Sequence, residues 1–203
     1  ALQAALDKLG ESGALDGVKL NVVQVPVRYP SGGVKQLIYL LTGLAIPADR
    51  LPHQYGVQCF NVGTAYAIHR AIEFGEPLIS RIVTLTGDVA APGNYEVLIG
   101  TPIDTLLPLA QPRPGVTHTI LGGPMMGVRL SDTRVPIAKN SNCLIAASPR
   151  LFPPAPPEEA CIRCGACARV CPVNLQPQTL YWLARGQQHE QAEKHHLFDC
   201  IEC

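Results

Sequence analysis

The sequence lacks both an excess of charge and a long apolar run. Its 203 residues include 16 lysines and arginines against 16 aspartates and glutamates. The overall charge therefore does not indicate nucleic-acid binding or a polybasic membrane anchor. No run of about eighteen apolar residues occurs, so no membrane-spanning helix is predicted. The first residues also lack the charged and apolar segments of a signal peptide.

Cysteine is scarce in the first 160 residues, which contain only Cys59 and Cys143 among the eight cysteines of the chain. Both lie in apolar surroundings and are interpreted as ordinary core residues. The other six cysteines fall between 161 and 203 at the spacing of metal ligands. Because such thiols must stay reduced, we expect the protein to work in the cytoplasm.

The most informative stretch contains Cys161, Cys164, Cys167 and Cys171, followed at once by Pro172. Its pattern, C-x2-C-x2-C-x3-C-P, is that of bacterial ferredoxins, in which the fourth cysteine binds a second cluster. Short spacers allow the backbone to turn around one cluster, and a proline redirects the chain after the last thiolate. The stretch predicts an iron–sulfur electron-transfer site.

Zinc is the main alternative, since paired C-x-x-C motifs also form tetrahedral zinc sites. Zinc sites rarely place a third cysteine three residues after the second. The fourth cysteine and its proline add to the case for iron and sulfur over zinc or disulfides.

A second cysteine pair, Cys200 and Cys203, resembles the start of another cluster motif. Under the crossed ligation of two-cluster ferredoxins, each of the two clusters would still need one more thiolate. The sequence also begins without methionine, at residues typical of a helix interior. We therefore expect this chain to be part of a longer protein.

The first 80 residues are predicted to alternate helices and strands around two turns that face one sheet edge. Residues 28–33 form a glycine turn before a helix over 34–43, and Gly32, Gly33 and Lys35 could bind an anion there. Asn61 and Thr64 open the next helix, over 65–74, as phosphate ligands or as simple N-caps. A plain helix start is an alternative for the first turn as well. The other predicted elements are a helix over 1–9 and strands over 18–27 and 57–61.

Residues 81–148 are predicted to form a small sheet packed on one helix, because short β-rich runs alternate with turn residues. The glycine-rich run 122–127 is interpreted as a turn and not as a phosphate loop, since no helix with a lysine follows it. The predicted elements are strands over 82–88 and 95–99, a short helix over 102–109, a strand over 118–121, and more β structure over 135–147.

A proline-rich segment over 149–160 is predicted to be an extended, semi-rigid linker. It leads to the cysteine-rich module at 161–203, where residues 178–184 fit a helix. The polar stretch 187–196 carries three histidines, which we interpret as a solvated helix face.

Five motifs of this sequence resemble the C subunit of the Rnf electron-transport complex, and the resemblance covers nearly the whole chain. They span residues 28–38, 61–68, 120–127, 161–172 and 178–182. The resemblance implies a subunit peripheral to the cytoplasmic side of the membrane. Such a subunit takes hydride from NADH onto bound FMN and passes electrons through two [4Fe–4S] clusters to membrane partners. The whole complex exchanges electrons with ferredoxin and couples this to Na⁺ or H⁺ transport.

The resemblance also implies a domain order. Residues 1–80 would be a partial, Rossmann-like α/β domain for FMN and NADH, and residues 81–148 a β-grasp domain that binds soluble ligands. After the linker at 149–160, residues 161–203 would be a truncated, α-helical module of the two-cluster ferredoxin type.

The resemblance further implies functional residues. Gly32 and Gly33 would lie near the flavin, with Lys35 adding charge, and Asn61 and Thr64 near its ribityl phosphate. The cluster ligands would be Cys161, Cys164, Cys167, Cys171, Cys200 and Cys203. Three features depart from the pattern. The upstream flavin loop and the rest of the second cysteine motif are missing, and Gly33 and Val34 stand where complex I relatives carry acidic residues. The residues that contact NADH therefore cannot be transferred.

Two other functions fit the same sequence. One is a flavin-dependent cobalamin reductase of bacterial microcompartments, which has the same order of domains. The other is a docking and relay module, formed by residues 81–203, without catalysis. Only the Rnf interpretation requires membrane partners.

We predict that the longer protein, purified without oxygen, contains about eight irons per chain, because two four-iron clusters follow from the two cysteine runs. Elemental analysis measures this directly. Iron near zero with stoichiometric zinc would contradict the cluster assignment.

Overall fold

The computed structural model describes residues 2–11 and 19–201. The chain divides into two compact units, Ala1–Cys59 and Phe60–Cys203, and each is considered by itself. None of the helices in these described residues has the length and hydropathy needed to cross a membrane.

The first unit contains helices α1 (Leu2–Glu11) and α2 (Val34–Thr42) and a 3₁₀ turn at Pro52–Tyr55. Both helices confirm the sequence predictions. Gly43 ends α2 at φ 73°, and its amide N–H donates to the Tyr39 carbonyl. Such a left-handed cap is easy for glycine because it has no Cβ.

The strands predicted over 18–27 and 57–61 are not formed; residue 18 itself lies outside the described residues. Over 19–27 and 57–61 the backbone has no ladder partner. A strand needs a neighbour for its N–H and C=O groups, and no described segment supplies one. Val22, Val23 and Val27 are instead exposed. The Rossmann-like sheet expected in residues 1–80 is therefore absent from the described residues.

The second unit begins with helix α3 (Val62–Phe74), three residues earlier than predicted. Asn61 is its N-cap, and the side-chain oxygen accepts a hydrogen bond from the Gly63 amide at 2.9 Å. The predicted apolar face is present, but Ile68 and Ile72 on it are 41% and 75% exposed. The spacing of apolar residues thus correctly predicted the helix, but it did not predict whether its apolar face is buried.

A mixed five-stranded sheet forms the centre of the second unit, in the order β2-β1-β5-β3-β4. The β1–β5 pair is parallel, and all other pairs are antiparallel. The strands are β1 (Ser80–Gly87), β2 (Gly93–Leu98), β3 (His118–Leu121), β4 (Val128–Arg129) and β5 (Cys143–Ala147).

This sheet confirms the predicted mixed α/β architecture, with two differences from the sequence analysis. The β1–β2 hairpin and β3 are confirmed, and residues 122–127 are a turn as predicted. This turn leads to β4, a two-residue strand too short for a periodic signal. The β structure predicted over 135–147 is restricted to β5, preceded by an isolated bridge between Pro102 and Pro136.

The core of the sheet lies under a short helix, α4 (Ile103–Leu106), which continues as a 3₁₀ turn at Leu107–Ala110. Ile103 is fully buried against inward-facing residues of the parallel pair, such as Leu85 and Leu144. Full burial of such a side chain contributes roughly 1.5–3 kcal/mol. The helix and the parallel pair thus form the rigid part of this unit.

The cysteine-rich module is helical, with α5 (Ala166–Val170), α6 (Pro177–Arg185), α7 (His189–Lys194) and a 3₁₀ turn at Leu197–Asp199. Leu175, Leu180 and Ala192 form its small buried core. The three histidines of the polar stretch are exposed, which confirms the solvated face.

Gly87 ends β1 where the strand packs closely on β5. Its φ is +104°, and an added Cβ would lie 2.8 Å from the Ala146 amide nitrogen and closer still to the Ala146 carbonyl oxygen. Gly100 has a similar φ of +98°, but a Cβ there would meet nothing within 4 Å.

We predict that Gly87→Ala destabilises the protein far more than Gly100→Ala. Both variants carry the strain of a left-handed alanine, about 1–3 kcal/mol, but only Gly87→Ala also pushes against the β5 backbone. Urea unfolding of both variants measures the difference. Equal loss of stability would mean that the packing between β1 and β5 tolerates a methyl group.

Candidate functional site

The cysteine run begins on an exposed loop, with Cys161 and Cys164, and continues into α5, which contains Cys167 and is followed directly by Cys171. Cys161, Cys164 and Cys167 are all exposed. The residues on either side of Cys164 have left-handed backbones, Arg163 at φ 56° and Gly165 at φ 69°. The chain therefore bends sharply at the second cysteine, as it must to wrap a compact group.

Cys171 lies at the end of α5 and packs against the core of the module. Its Sγ accepts a hydrogen bond from the Leu175 amide N–H at 3.3 Å. Amide donors to cysteine sulfur tune iron–sulfur sites. The surroundings of Cys171 thus fit a thiolate ligand.

The side chains of the run do not converge on one point. Across residues 2–11 and 19–201, no three His, Cys, Asp or Glu side chains form a group that could hold a metal ion. Cys200 is exposed, and Cys203 lies outside the described residues. In their chemistry, the four thiols of the run and the Leu175 amide fit the ligands of iron–sulfur clusters.

Cys59 and Cys143 differ from the cysteines of the run, because both are half-buried. Burial raises the pKa of the Cys143 thiol, which favours its uncharged form. Cys143 also packs beside the buried residues Ile120, Ile145 and Ala147. For Cys143, this confirms the interpretation as a core residue.

The glycine turn of the first unit leads into α2 as predicted. The Gly33 amide donates to the Pro30 carbonyl at 2.8 Å, and Gly33 is the N-cap of α2, with no side-chain cap bond. A Cβ on Gly32 would meet nothing within 4 Å, whereas one on Gly33 would lie 2.5 Å from Gln36 Oε1. The turn thus leaves open space beside Gly32.

Lys35 forms bonds that the sequence analysis did not predict. Its Nζ donates to the carbonyl of Pro47 at 2.6 Å and to that of Ala48 at 2.7 Å. The ammonium group therefore fastens the loop after α2 to the first turn of that helix. Sequence alone could not show this, because the acceptors are backbone atoms twelve and thirteen residues away.

Asn61 and Thr64 belong to the second unit, whereas the glycine turn belongs to the first. The Asn61 side chain caps α3, as one of the two sequence interpretations proposed. Thr64 is half-buried, and its hydroxyl makes no hydrogen bond within the described part of the chain. It is therefore available to an outside acceptor.

The sequence analysis missed a charged cluster at the end of β1. Asp88 is 4% exposed, and its carboxylate accepts hydrogen bonds from the Ser148 hydroxyl at 2.6 Å and from Arg150 Nη2 at 2.7 Å. Arg113 Nε lies 3.9 Å from the same carboxylate. In the sequence, the only feature that could have indicated this cluster was an aspartate directly after a β-rich run.

The proline-rich segment is held at both ends, by the contacts of Asp88 and by two others. Asp88 holds Ser148 and Arg150 at its start, and Phe152 packs beside the buried residues of β3 and β5. At its other end, the Tyr181 hydroxyl donates to Glu158 Oε1 at 2.9 Å. These contacts confine the free part of the linker to residues 153–157.

Three family models match this chain, in order. They are the Nuo51 FMN-binding domain over residues 1–70, the SLBB domain over 82–129 and the 4Fe–4S binding domain over 156–175. With the exposed cysteine run, they define an electron-transfer protein of the flavin and iron–sulfur class.

Curated relatives identify the family more closely. The C subunit of the ion-translocating oxidoreductase complex of Pseudomonas aeruginosa is 52% identical over 181 residues, which cover 88% of this chain and 23% of that protein. Its counterpart in Yersinia pseudotuberculosis is 50% identical over 186 residues, covering 91% and 26%. That of Serratia proteamaculans is 49% identical over 185 residues, covering 90% and 26%. The chain belongs to this family of C subunits and spans about a quarter of the length of these relatives.

For the electron path from NADH that is proposed below, we predict that replacing residues 153–157 by glycine and serine in the full-length subunit slows reduction of the clusters. A flexible linker loses the extended spacing that prolines impose, while the cysteines are untouched. Stopped-flow absorbance measures the rate, and iron content is the control. Unchanged kinetics would mean that the module is docked rigidly.

Proposed function

We propose that this chain is the part of such a C subunit that carries electrons from NADH, through FMN, to iron–sulfur clusters and onward to ferredoxin. The observation that carries the proposal is the exposed four-cysteine run in a chain about half identical to subunits of ion-translocating oxidoreductase complexes. Other subunits of an Rnf-type complex are the partners. The protein lies peripherally, on the cytoplasmic side of the membrane, and electron flow is coupled to Na⁺ or H⁺ movement.

Cys161, Cys164 and Cys167 hold one cluster in this proposal, while Cys171, Cys200 and Cys203 serve the second, as crossed ligation requires. When bound, FMN accepts electrons in pairs and [4Fe–4S] clusters pass them on singly. The Leu175 amide fixes the Cys171 sulfur. The exposure of the other thiols supports a loop that closes around a cluster.

Gly32, Gly33, Lys35, Asn61 and Thr64 are the proposed flavin-facing residues. The open space at Gly32 suits close approach of a ring or a phosphate to the backbone. Two of the Lys35 donors are engaged by carbonyls, so its proposed part is to hold the loop at Pro47 and to offer its third N–H. The free Thr64 hydroxyl is the proposed phosphate donor.

The finer domain assignment is also proposed. A β-grasp domain over 81–148 is supported by the β1–β2 hairpin, the helix α4 and the parallel pair of β1 and β5. In the sequence, an FMN and NADH domain over 1–80 precedes it and the linker at 149–160 follows it. The family match over residues 1–70 supports an FMN-binding role for the first domain, although no Rossmann-like sheet is formed in its described residues. The truncated ferredoxin-type module occupies residues 161–203.

A comparison of two preparations tests the proposal. NADH-driven reduction of ferredoxin is measured in membranes containing the whole complex and in membranes that lack only this subunit. We expect the rate to disappear without the subunit and to return when the purified protein is added. An undiminished rate in the deficient membranes would overturn the proposal.

We predict that Thr64→Ala in the full-length subunit weakens FMN binding by roughly 0.5–3 kcal/mol, the range from a neutral to a charge-assisted hydrogen bond. Thr64→Ser retains the hydroxyl and is the matched control. Equilibrium titration of the apoprotein with FMN, followed by flavin fluorescence, measures both. Equal affinity in both variants and the wild type would leave Thr64 without a part in flavin binding.

A further inference from the structure

A cleft lies beyond the carboxyl ends of the two parallel strands. Asp88 follows β1 directly and Ser148 follows β5 directly, and Gly87 at the end of β1 is in register with Ala146 near the end of β5. The carboxyl edge of parallel strands is where α/β sheets commonly bind ligands. The cleft has a volume of about 750 Å³, and its wall includes Asp88, Arg113 and Arg150.

One carboxylate organises the charges of this cleft. The hydrogen bond from Arg150, with a further one from Ser148, holds the pKa of Asp88 below its usual range. Asp88 is therefore ionised at neutral pH and carries one negative charge against two guanidinium groups. The cleft retains a net positive charge.

Both arginines have donors to spare. Arg150 gives only Nη2 to Asp88, and Arg113 Nε donates to the Val89 carbonyl at 3.3 Å. Within the described residues, neither Nη group of Arg113 has a hydrogen-bond partner, and Nε and Nη1 of Arg150 have none. The two side chains are 59% and 69% exposed, so these donors face solvent at the cleft.

We propose that this cleft binds a phosphorylated small molecule, with its phosphate held by Arg113 and Arg150. Guanidinium groups recognise phosphate through paired N–H donors. The three terminal oxygens of a phosphate monoester can take paired N–H donors from both groups at once, whereas a carboxylate has only two oxygens to share between them. Pro114, Gly115 and Pro149 also line the cleft and give the organic part of the ligand a surface with few polar groups.

This site lies within the second unit and includes none of the cysteines and none of the proposed flavin residues. Its test therefore needs neither clusters nor NADH, and it can fail while the proposed electron transfer stands. Arg150 is also one of the first residues of the proline-rich segment. A ligand bound to Arg150 would therefore contact the start of the linker.

Isothermal titration of the full-length subunit, saturated with FMN, tests the site with phenyl phosphate as the probe. We expect saturable binding that weakens at least tenfold in Arg150→Gln and in Arg113→Gln, as loss of a charge-assisted bond implies. The matched control is Arg134→Gln, because Arg134 is 82% exposed and pairs with Asp132 instead. It should bind like the wild type.

Asp88→Asn gives a change in the opposite direction. It removes the competing negative charge while keeping the size of the side chain, so phenyl phosphate should bind several-fold more tightly. Thermal unfolding confirms that each variant is folded. If Asp88→Asn does not fold, the affinities of the two arginine variants alone test the proposed site.

Three results would overturn the inference. They are the absence of saturable binding to the wild type, equal weakening in the Arg134→Gln control, and binding of benzoate as tight as that of phenyl phosphate. The last would assign the cleft to carboxylates.

Discussion

A single buried carboxylate, that of Asp88, joins the parts of the second unit that must keep their positions. It connects the end of β1 to the residues that leave β5, Ser148 and Arg150, and so fixes where the chain departs for the cysteine-rich module. Because the folded-state pKa of Asp88 is lowered, its stabilising contribution is present above the ordinary aspartate pKa of about 4. The contribution is lost as pH falls through the lower, folded value. At neutral pH the anchor is therefore intact.

The distribution of buried residues shows why this anchor matters. The sheet and α4 bury a continuous core, whereas Ile38 and Ile46 are the only buried hydrophobic residues among 19–59. The cysteine-rich module buries three residues, with Cys171 packed beside them. Its cysteine loop therefore extends from a small core and is joined to the sheet by a linker that is held at both ends. A well-packed sheet joined to a lightly packed module suits the electron carrier proposed above.

Local patterns predicted much of the fold. The β1–β2 hairpin, β3, and the glycine caps after α2 and α3 follow from alternation and turn residues, which act over a few positions. The predictions of strands at 18–27 and 57–61 were wrong, because a β-rich composition does not indicate whether a neighbouring strand is present to pair with. The carbonyl partners of Lys35 and the cluster around Asp88 were missed for a related reason, since the bonded residues are distant in sequence. The cysteine run was recognisable because its ligand spacing is itself local.

The family assignment and the cysteine run lead to one central claim, that electrons from NADH reach clusters held by this loop. Low-temperature electron paramagnetic resonance of the FMN-loaded full-length subunit, frozen after addition of NADH, tests it most directly. The account predicts the signal of reduced [4Fe–4S] clusters in the wild type and in Cys143→Ala, and loss of the signal from one cluster in Cys164→Ala. Reduction of the flavin without any cluster signal, or a signal unchanged in Cys164→Ala, would contradict it.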